Sequence, residues 1–109
     1  MSRSDGVYIS DISESITLIQ QYVKGITEFD FSSNLMLQDA VTRRFEIIGE
    51  ASGKISDAFK LNNPQIKWGL MKAMRNKLIH EYFGVSAHTL YQTIQSDLPI
   101  LQEQLSKIK

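Results

Sequence analysis

Apolar residues recur every three or four positions along almost the whole chain, and no stretch alternates with period two, so the pattern predicts helices and no sheet. Ile9, Ile12, Ile16, Ile19 and Val23 share one stripe of a first helix, and Gly25 stands where that helix should stop. Residues 26–33 read as a loop ending in Ser32 and Ser33, either of which suits a helix N-cap. A long second helix follows, over about 34–57. Its predicted buried side is Leu37, Ala40, Val41, Ile47, Ile48, Ala51 and Ile55, with Phe45 on a flank. The segment LNNPQI breaks the pattern, because Asn and Pro favour turns. A third helix is predicted near 67–82, with Trp68, Met71, Leu78 and Ile79 as core and Gly84 as the residue just past its end. Ser86 can cap a fourth helix carrying Leu90, Tyr91 and Ile94. Pro99, two residues after Asp97, leaves two options: a new helix capped by Asp97, or a continuing helix that kinks. Leu98, Leu101, Leu105 and Ile108 supply a final stripe. Four or five helices joined by short loops pack most simply as an all-α antiparallel bundle.

Composition narrows the class. At 109 residues the chain is long enough for one core, and with no internal repeat or Pro/Gly/Ser-rich linker it is expected to be a single domain over 1–109. The formal net charge is zero, so any contact with nucleic acid must come from a local patch and not from the overall field. The absence of Cys excludes disulfides and Cys-based metal sites and suits a reducing cytoplasm. No apolar run reaches the roughly 18 residues of a membrane span, and the N-terminal MSRSDGVYIS lacks the apolar centre of a secretory signal. The expectation is a soluble cytoplasmic protein without a membrane contact.

The chemistry concentrates in MRNKLIHEYFGV, residues 74–85, which holds Arg75, Asn76, His80 and Tyr82 and one of only two histidines in the chain. Positions 75 and 82 leave an ideal helix about 20° apart, and Asn76 and His80 are neighbours four residues apart. Positions 75 and 80, by contrast, are about 140° apart, so within one helix they do not face each other. Across a two-fold axis, an Arg and a His from two chains could meet in one cleft. Imidazole exchanges a proton near neutral pH, and guanidinium holds a phosphate through paired hydrogen bonds. Such a pair could cleave RNA without a metal, with Asn76 orienting His80 or donating to a phosphate oxygen. A packing account also fits these residues: the helix dipole alone favours a cation or His in a last turn, and a boundary Tyr keeps its hydroxyl wet. No metal site is predicted, because His80 and His88 are separated by a predicted turn and neither has a His or Cys companion. No cofactor is implied.

The second helix adds TRRFEIIGEASGKI, in which Arg43, Glu46, Glu50 and Gly53 follow one face at spacings of three, four and three. A solvated Glu–Arg ladder is the ordinary explanation. Gly49 and Gly53 inside a helix, however, each cost about 1 kcal/mol relative to Ala. They point to close approach of another helix, within the chain or across a dimer, with Arg43, Glu46 and Glu50 lining or supporting the same cleft as Arg75 and His80.

RRFEIIGEA, Trp68, MRNKLIHEYFGV and SDLPILQEQL occur in this order over about residues 7–106, and in this the chain resembles the HepT-like branch of the HEPN superfamily. The Arg-x4-His-x-Tyr pattern at Arg75, His80 and Tyr82 carries the resemblance, together with Gly49-Glu50-Ala51 and Phe83-Gly84-Val85. The resemblance implies a HEPN-like helical homodimer, alone or within a larger hetero-oligomer, whose Arg and His motifs meet at or near the dimer cleft. It implies the toxin of a toxin–antitoxin pair, a metal-independent endoribonuclease with Arg75 and His80 as catalytic residues and Asn76 as the polar residue following the Arg. It further implies a minimal nucleotidyltransferase antitoxin of the MntA type, which transfers AMP from ATP to Tyr82. The competing reading is a non-catalytic helical dimer that binds the nucleotidyltransferase and presents nucleotide or RNA to it.

Overall fold

The computed structural model describes residues 3–80 and 86–108, with the side chains of residues 3, 74, 75 and 77–80 outside that description. The described residues form helices and no strand: α1 (Arg3–Val23), α2 (Glu28–Ser32), α3 (Leu35–Lys54), α4 (Asp57–Asn62), α5 (Trp68–His80), α6 (Ala87–Ser96) and α7 (Leu98–Ser106). The long helices α1, α3 and α5, with α6–α7 as a nearly continuous pair, make an all-α bundle, as predicted. The short α2 and α4 are corner pieces.

The α1 stripe lies where its spacing placed it: Ile12, Ile16 and Ile19 are fully buried, Val23 nearly so, and Ile9 packs at the edge. Gly25 ends the helix at φ +73°, a left-handed conformation that glycine adopts without a Cβ clash. Helix α3 packs most extensively on α1 and next on α5. Its central residues are Val41, Phe45 and Ile48, all fully or almost fully buried. Phe45 is therefore a core residue and not a flanking one, while Ile47 is only half-buried. Positions 41, 45, 48 and 52 share the buried side of α3, and position 47 points about 120° away from Val41.

Three boundaries differ from the expectation. Residues 26–33 are not simply a loop, because α2 forms within them to bury Phe31 completely, with Thr27 accepting from the Asp30 amide as its N-cap. The cap of α3 is then Asn34, whose side chain accepts from the Leu37 amide at 3.0 Å, and not Ser32 or Ser33. The long second helix stops at Lys54 instead of continuing to 57, since Ile55 is extended and Ser56 caps α4. LNNPQI still breaks the helical run, but its first two residues belong to α4. Helix α4 forms because it buries Phe59, whose ring meets Trp68 edge-on at 6.1 Å. At the other junction Asp97 is itself helical and makes no side-chain cap, with Pro99 in the first turn of α7, so the chain bends there without a capped restart. Ser86 caps α6 as predicted, accepting from the Thr89 amide. The predicted end of the third helix at 82 and the role of Gly84 lie outside the described residues.

Side-chain hydrogen bonds set the antiparallel order. The Asp5 carboxylate, 3% exposed near the start of α1, accepts from both the backbone N–H and the hydroxyl of Ser56 at 2.8 Å, beyond the far end of α3. Gln20 donates to Gln102 at 3.1 Å, while Ser13 and Ile16 lie beside Leu105 and Ser106, so α7 runs opposite to α1. The Lys67 amide donates to the Gln104 side chain at 2.9 Å, which brings the start of α5 to the end of α7. Tyr91 donates its hydroxyl to the Ile26 carbonyl at 2.9 Å, which holds α6 against the α1–α2 connection.

Two stability outcomes follow from these buried polar groups. Asp5→Ala removes a charged acceptor from two donors and is expected to cost about 2–3 kcal/mol in chemical denaturation; a loss below half a unit would show that Asp5 does not clamp the corner. Ser15 is 1% exposed, and its hydroxyl has no hydrogen-bond partner among the described residues. Ser15→Ala is expected to raise the unfolding free energy by about 1 kcal/mol, because it removes a buried unsatisfied hydroxyl and substitutes a better helix former.

Candidate active site

Helix α5 begins on packed aromatic and apolar residues. Trp68 donates its indole N–H to the Asn63 carbonyl at 3.1 Å and rests on Phe59, and Met71 is fully buried. These contacts fix the rotation of α5. Lys72 and Ala73 consequently face solvent, and Gly69 has open space where a Cβ would be. The motif occupies the last two turns of this helix: Arg75 and Asn76 in one, His80 as its final residue. Counting 100° per residue, position 75 falls about 40° from Met71, and position 80 falls about 180° from it, in line with Gly69 and Ala73. The backbone thus keeps positions 75 and 80 on different sides of one helix. Asn76 lies between them and is half-buried, and no side-chain hydrogen bond joins it to any described residue. Tyr82 lies outside the described residues, as do the side chains of Arg75 and His80.

The face of α3 singled out from the sequence is partly self-satisfied. Arg43 Nη1 lies 3.2 Å from Glu46 Oε2, an exposed pair one helical turn apart. In water such a pair contributes little to stability. Glu50 is exposed, and no ion pair ties it to any described residue. None of the three is bonded to Asn76, although α3 and α5 are packed neighbours. Of the two glycines read as marks of close approach, Gly49 is buried, whereas Gly53 is exposed with nothing within 4 Å of a built Cβ. Gly53 therefore marks no close approach within the chain. The buried Ser52 donates to the Gly49 carbonyl at 2.9 Å, satisfying its hydroxyl inside α3.

The second histidine has a separate position. His88, at the start of α6, lies 3.0 Å from Glu28 of α2, and both are substantially exposed. Sequence reading had no means to pair these two, which are 60 residues apart. Among the described residues no three His, Asp or Glu side chains gather at one point, and no helix is long and apolar enough to cross a membrane.

Comparison with known proteins bears on what this arrangement belongs to. The family model described as ribonuclease HepT-like matches residues 12–108. The "Probable ribonuclease HepT" of Thermococcus cleftensis is 43% identical over 109 residues, covering 100% of this chain and 99% of that protein. The "Gamma-glutamylcyclotransferase and putative RNase MJ0434" of Methanocaldococcus jannaschii is 41% identical over 108 residues, and there the match covers 99% of this chain but 49% of the relative. No solved structure gives a significant match. The family match spans the motif helix and the packed elements around it from Ile12 onward, and the relative from Thermococcus is similar from end to end: the chain belongs to the HepT-like ribonuclease family.

Proposed function

We propose that this protein is the toxin of a toxin–antitoxin pair, a metal-independent endoribonuclease that acts as a homodimer in the cytoplasm. The observation that carries the reading is the placement of Arg75, Asn76 and His80 in the last two turns of α5, in a chain of a ribonuclease family. Positions 75 and 80 diverge on one helix, so a complete site takes its guanidinium and its imidazole from two subunits. The His80 imidazole takes the proton of a ribose 2′-hydroxyl as its oxygen attacks the adjacent phosphorus. The new O2′–P bond forms as the P–O5′ bond breaks, and the departing oxygen takes a proton from a second imidazole or from water. The Arg75 guanidinium holds the nonbridging oxygens as negative charge builds on them. The Asn76 carboxamide, with no described partner of its own, orients the imidazole or donates to the phosphate. Arg43, Glu46 and Glu50 support the cleft from α3, with Glu50 and the Arg43–Glu46 pair setting its local charge.

Control comes from a minimal nucleotidyltransferase of the MntA type. The Tyr82 phenolic oxygen attacks the α-phosphorus of ATP, pyrophosphate leaves, and the phenolic proton passes to a base of the transferase. The AMP left on Tyr82 adds bulk and negative charge near Arg75 and competes with the RNA phosphate for the same guanidinium.

Arg75→Ala and His80→Ala are each expected to lower cleavage of a labelled RNA at least about a hundredfold while helical content and dimer mass stay unchanged. Parent-like cleavage by His80→Ala would overturn the catalytic assignment. Intact-mass spectrometry after incubation with the nucleotidyltransferase and ATP is expected to show adenylyl additions that disappear in Tyr82→Phe; additions that persist in that variant place the modification elsewhere.

A further inference from the structure

Three of the four most exposed apolar side chains of the described residues share one corner, and the fourth, Leu61 at 79%, stands apart on α4. Phe29, Met36 and Leu35 are 82%, 80% and 73% exposed, and they lie within eight residues at the α2–α3 corner. Isolated exposed apolar residues are ordinary, but a cluster that includes a nearly bare Phe marks an interaction surface. The corner is also held in one shape. Thr27 caps α2, Asn34 caps α3, and Gln38 donates to the carbonyls of Phe31 and Ser32 across the bend. Beneath it, buried Phe31 packs on Tyr91 at 5.7 Å, and Glu28 meets His88. A surface already ordered in this way loses little conformational entropy on binding.

Charge decides what can cover it. From 25 to 42 the sequence carries Glu28, Asp30 and Asp39 and no Lys or Arg, although the chain as a whole is neutral. Asp30 and Asp39 are exposed, and neither is paired with a described residue. An acidic rim repels RNA phosphate. It also disfavours a second copy docked on the same corner, because a two-fold contact would bring two copies of the same acidic rim together. Apolar anchors inside an acidic rim suit a protein with a nonpolar pocket fringed by Lys and Arg.

We infer that the α2–α3 corner is the docking site for a different protein, one presenting a nonpolar pocket with a basic fringe. This rests on the antitoxin partner proposed above. The corner stands at the end of the bundle where α6 begins, through Glu28 and His88, and residues 81–85 lead from His80 to that same start. A nucleotidyltransferase seated on the corner would sit beside His88, six residues after Tyr82 in the sequence.

The test uses the full chain and the purified nucleotidyltransferase encoded beside its gene, with binding followed by calorimetry. Because both side chains are exposed, the double variant Phe29→Ser/Met36→Ser keeps its fold. It is expected to bind the transferase at least about tenfold more weakly, as loss of anchor residues does. Asp30→Lys/Asp39→Lys is expected to weaken binding and to reduce its salt dependence across a calorimetric salt series. Dimer mass by light scattering and affinity for a labelled RNA should not change in either variant. Unchanged transferase affinity in both variants overturns the corner assignment alone. Loss of the dimer would reassign the corner to a second copy, and loss of RNA affinity would reassign it to substrate. If the parent chain itself fails to bind the transferase, the antitoxin reading falls, and this occupant falls with it.

Discussion

The rest of the bundle depends on the antiparallel seam between α1 and α3. The buried stripe of α1, Ile12, Ile16 and Ile19, and the buried side of α3, Val41, Phe45 and Ile48, are all essentially without solvent contact in one core. Burying an aliphatic or aromatic side chain of this size contributes on the order of 1.5–3 kcal/mol, so this seam is the largest local source of cohesion. Apolar packing alone does not choose a register, since sliding one helix by a turn preserves most of it. The Asp5 carboxylate supplies the choice, because its two bonds to Ser56 form only when the start of α1 sits beside the end of α3. That contact also ends α3: Ser56 leaves the helical path, its amide and hydroxyl engage Asp5, and its hydroxyl oxygen still accepts from the Phe59 amide to start α4.

Everything that places the motif follows from that corner. Helix α4 carries Phe59 to Trp68, and Trp68 with Met71 sets the rotation of α5 before the motif is reached. The proposed active-site residues lie downstream of the contacts that orient this helix. Their direction is set two turns upstream by residues that do no chemistry, and a change at Phe59 or Trp68 would be felt at His80 as rotation of the helix. The half-buried Asn76, with no described hydrogen-bond partner, suits a polar group held in reserve for a ligand.

The neutrality of the chain is an average over unlike regions. The α2–α3 corner carries Glu28, Asp30 and Asp39 with no Lys or Arg between 25 and 42, while Arg43, Arg44, Lys72 and Lys77 stand with Glu46 and Glu50 on α3 and α5. On a protein of zero net charge, such segregation is what allows one surface to attract phosphate and another to reject it. Ribonuclease chemistry and protein docking can then occupy separate parts of a small molecule.

How far this was legible in the sequence depends on the range of the interaction. The helical class, the α1 stripe, the stop at Gly25, the Ser86 cap and the membership of Arg75, Asn76 and His80 in one helix all follow from residues within a turn or two of each other. Three- and four-residue spacing and capping are local physics, written along the chain. The family resemblance was likewise carried by contiguous motifs. Other features required distant partners. The core position of Phe45, the short helix around Phe31, the end of α3 at Lys54 and the pairing of His88 with Glu28 each depend on a contact across the bundle. The glycines show the division most plainly. Gly49 and Gly53 look alike in the sequence, yet one is buried and the other faces open space, because only the arrangement of neighbouring helices decides which side of α3 is covered. Local spacing determined what kind of helix each segment forms. Tertiary packing decided where each helix ends and which way it faces, because desolvation and buried hydrogen bonds act between residues that the chain order keeps apart.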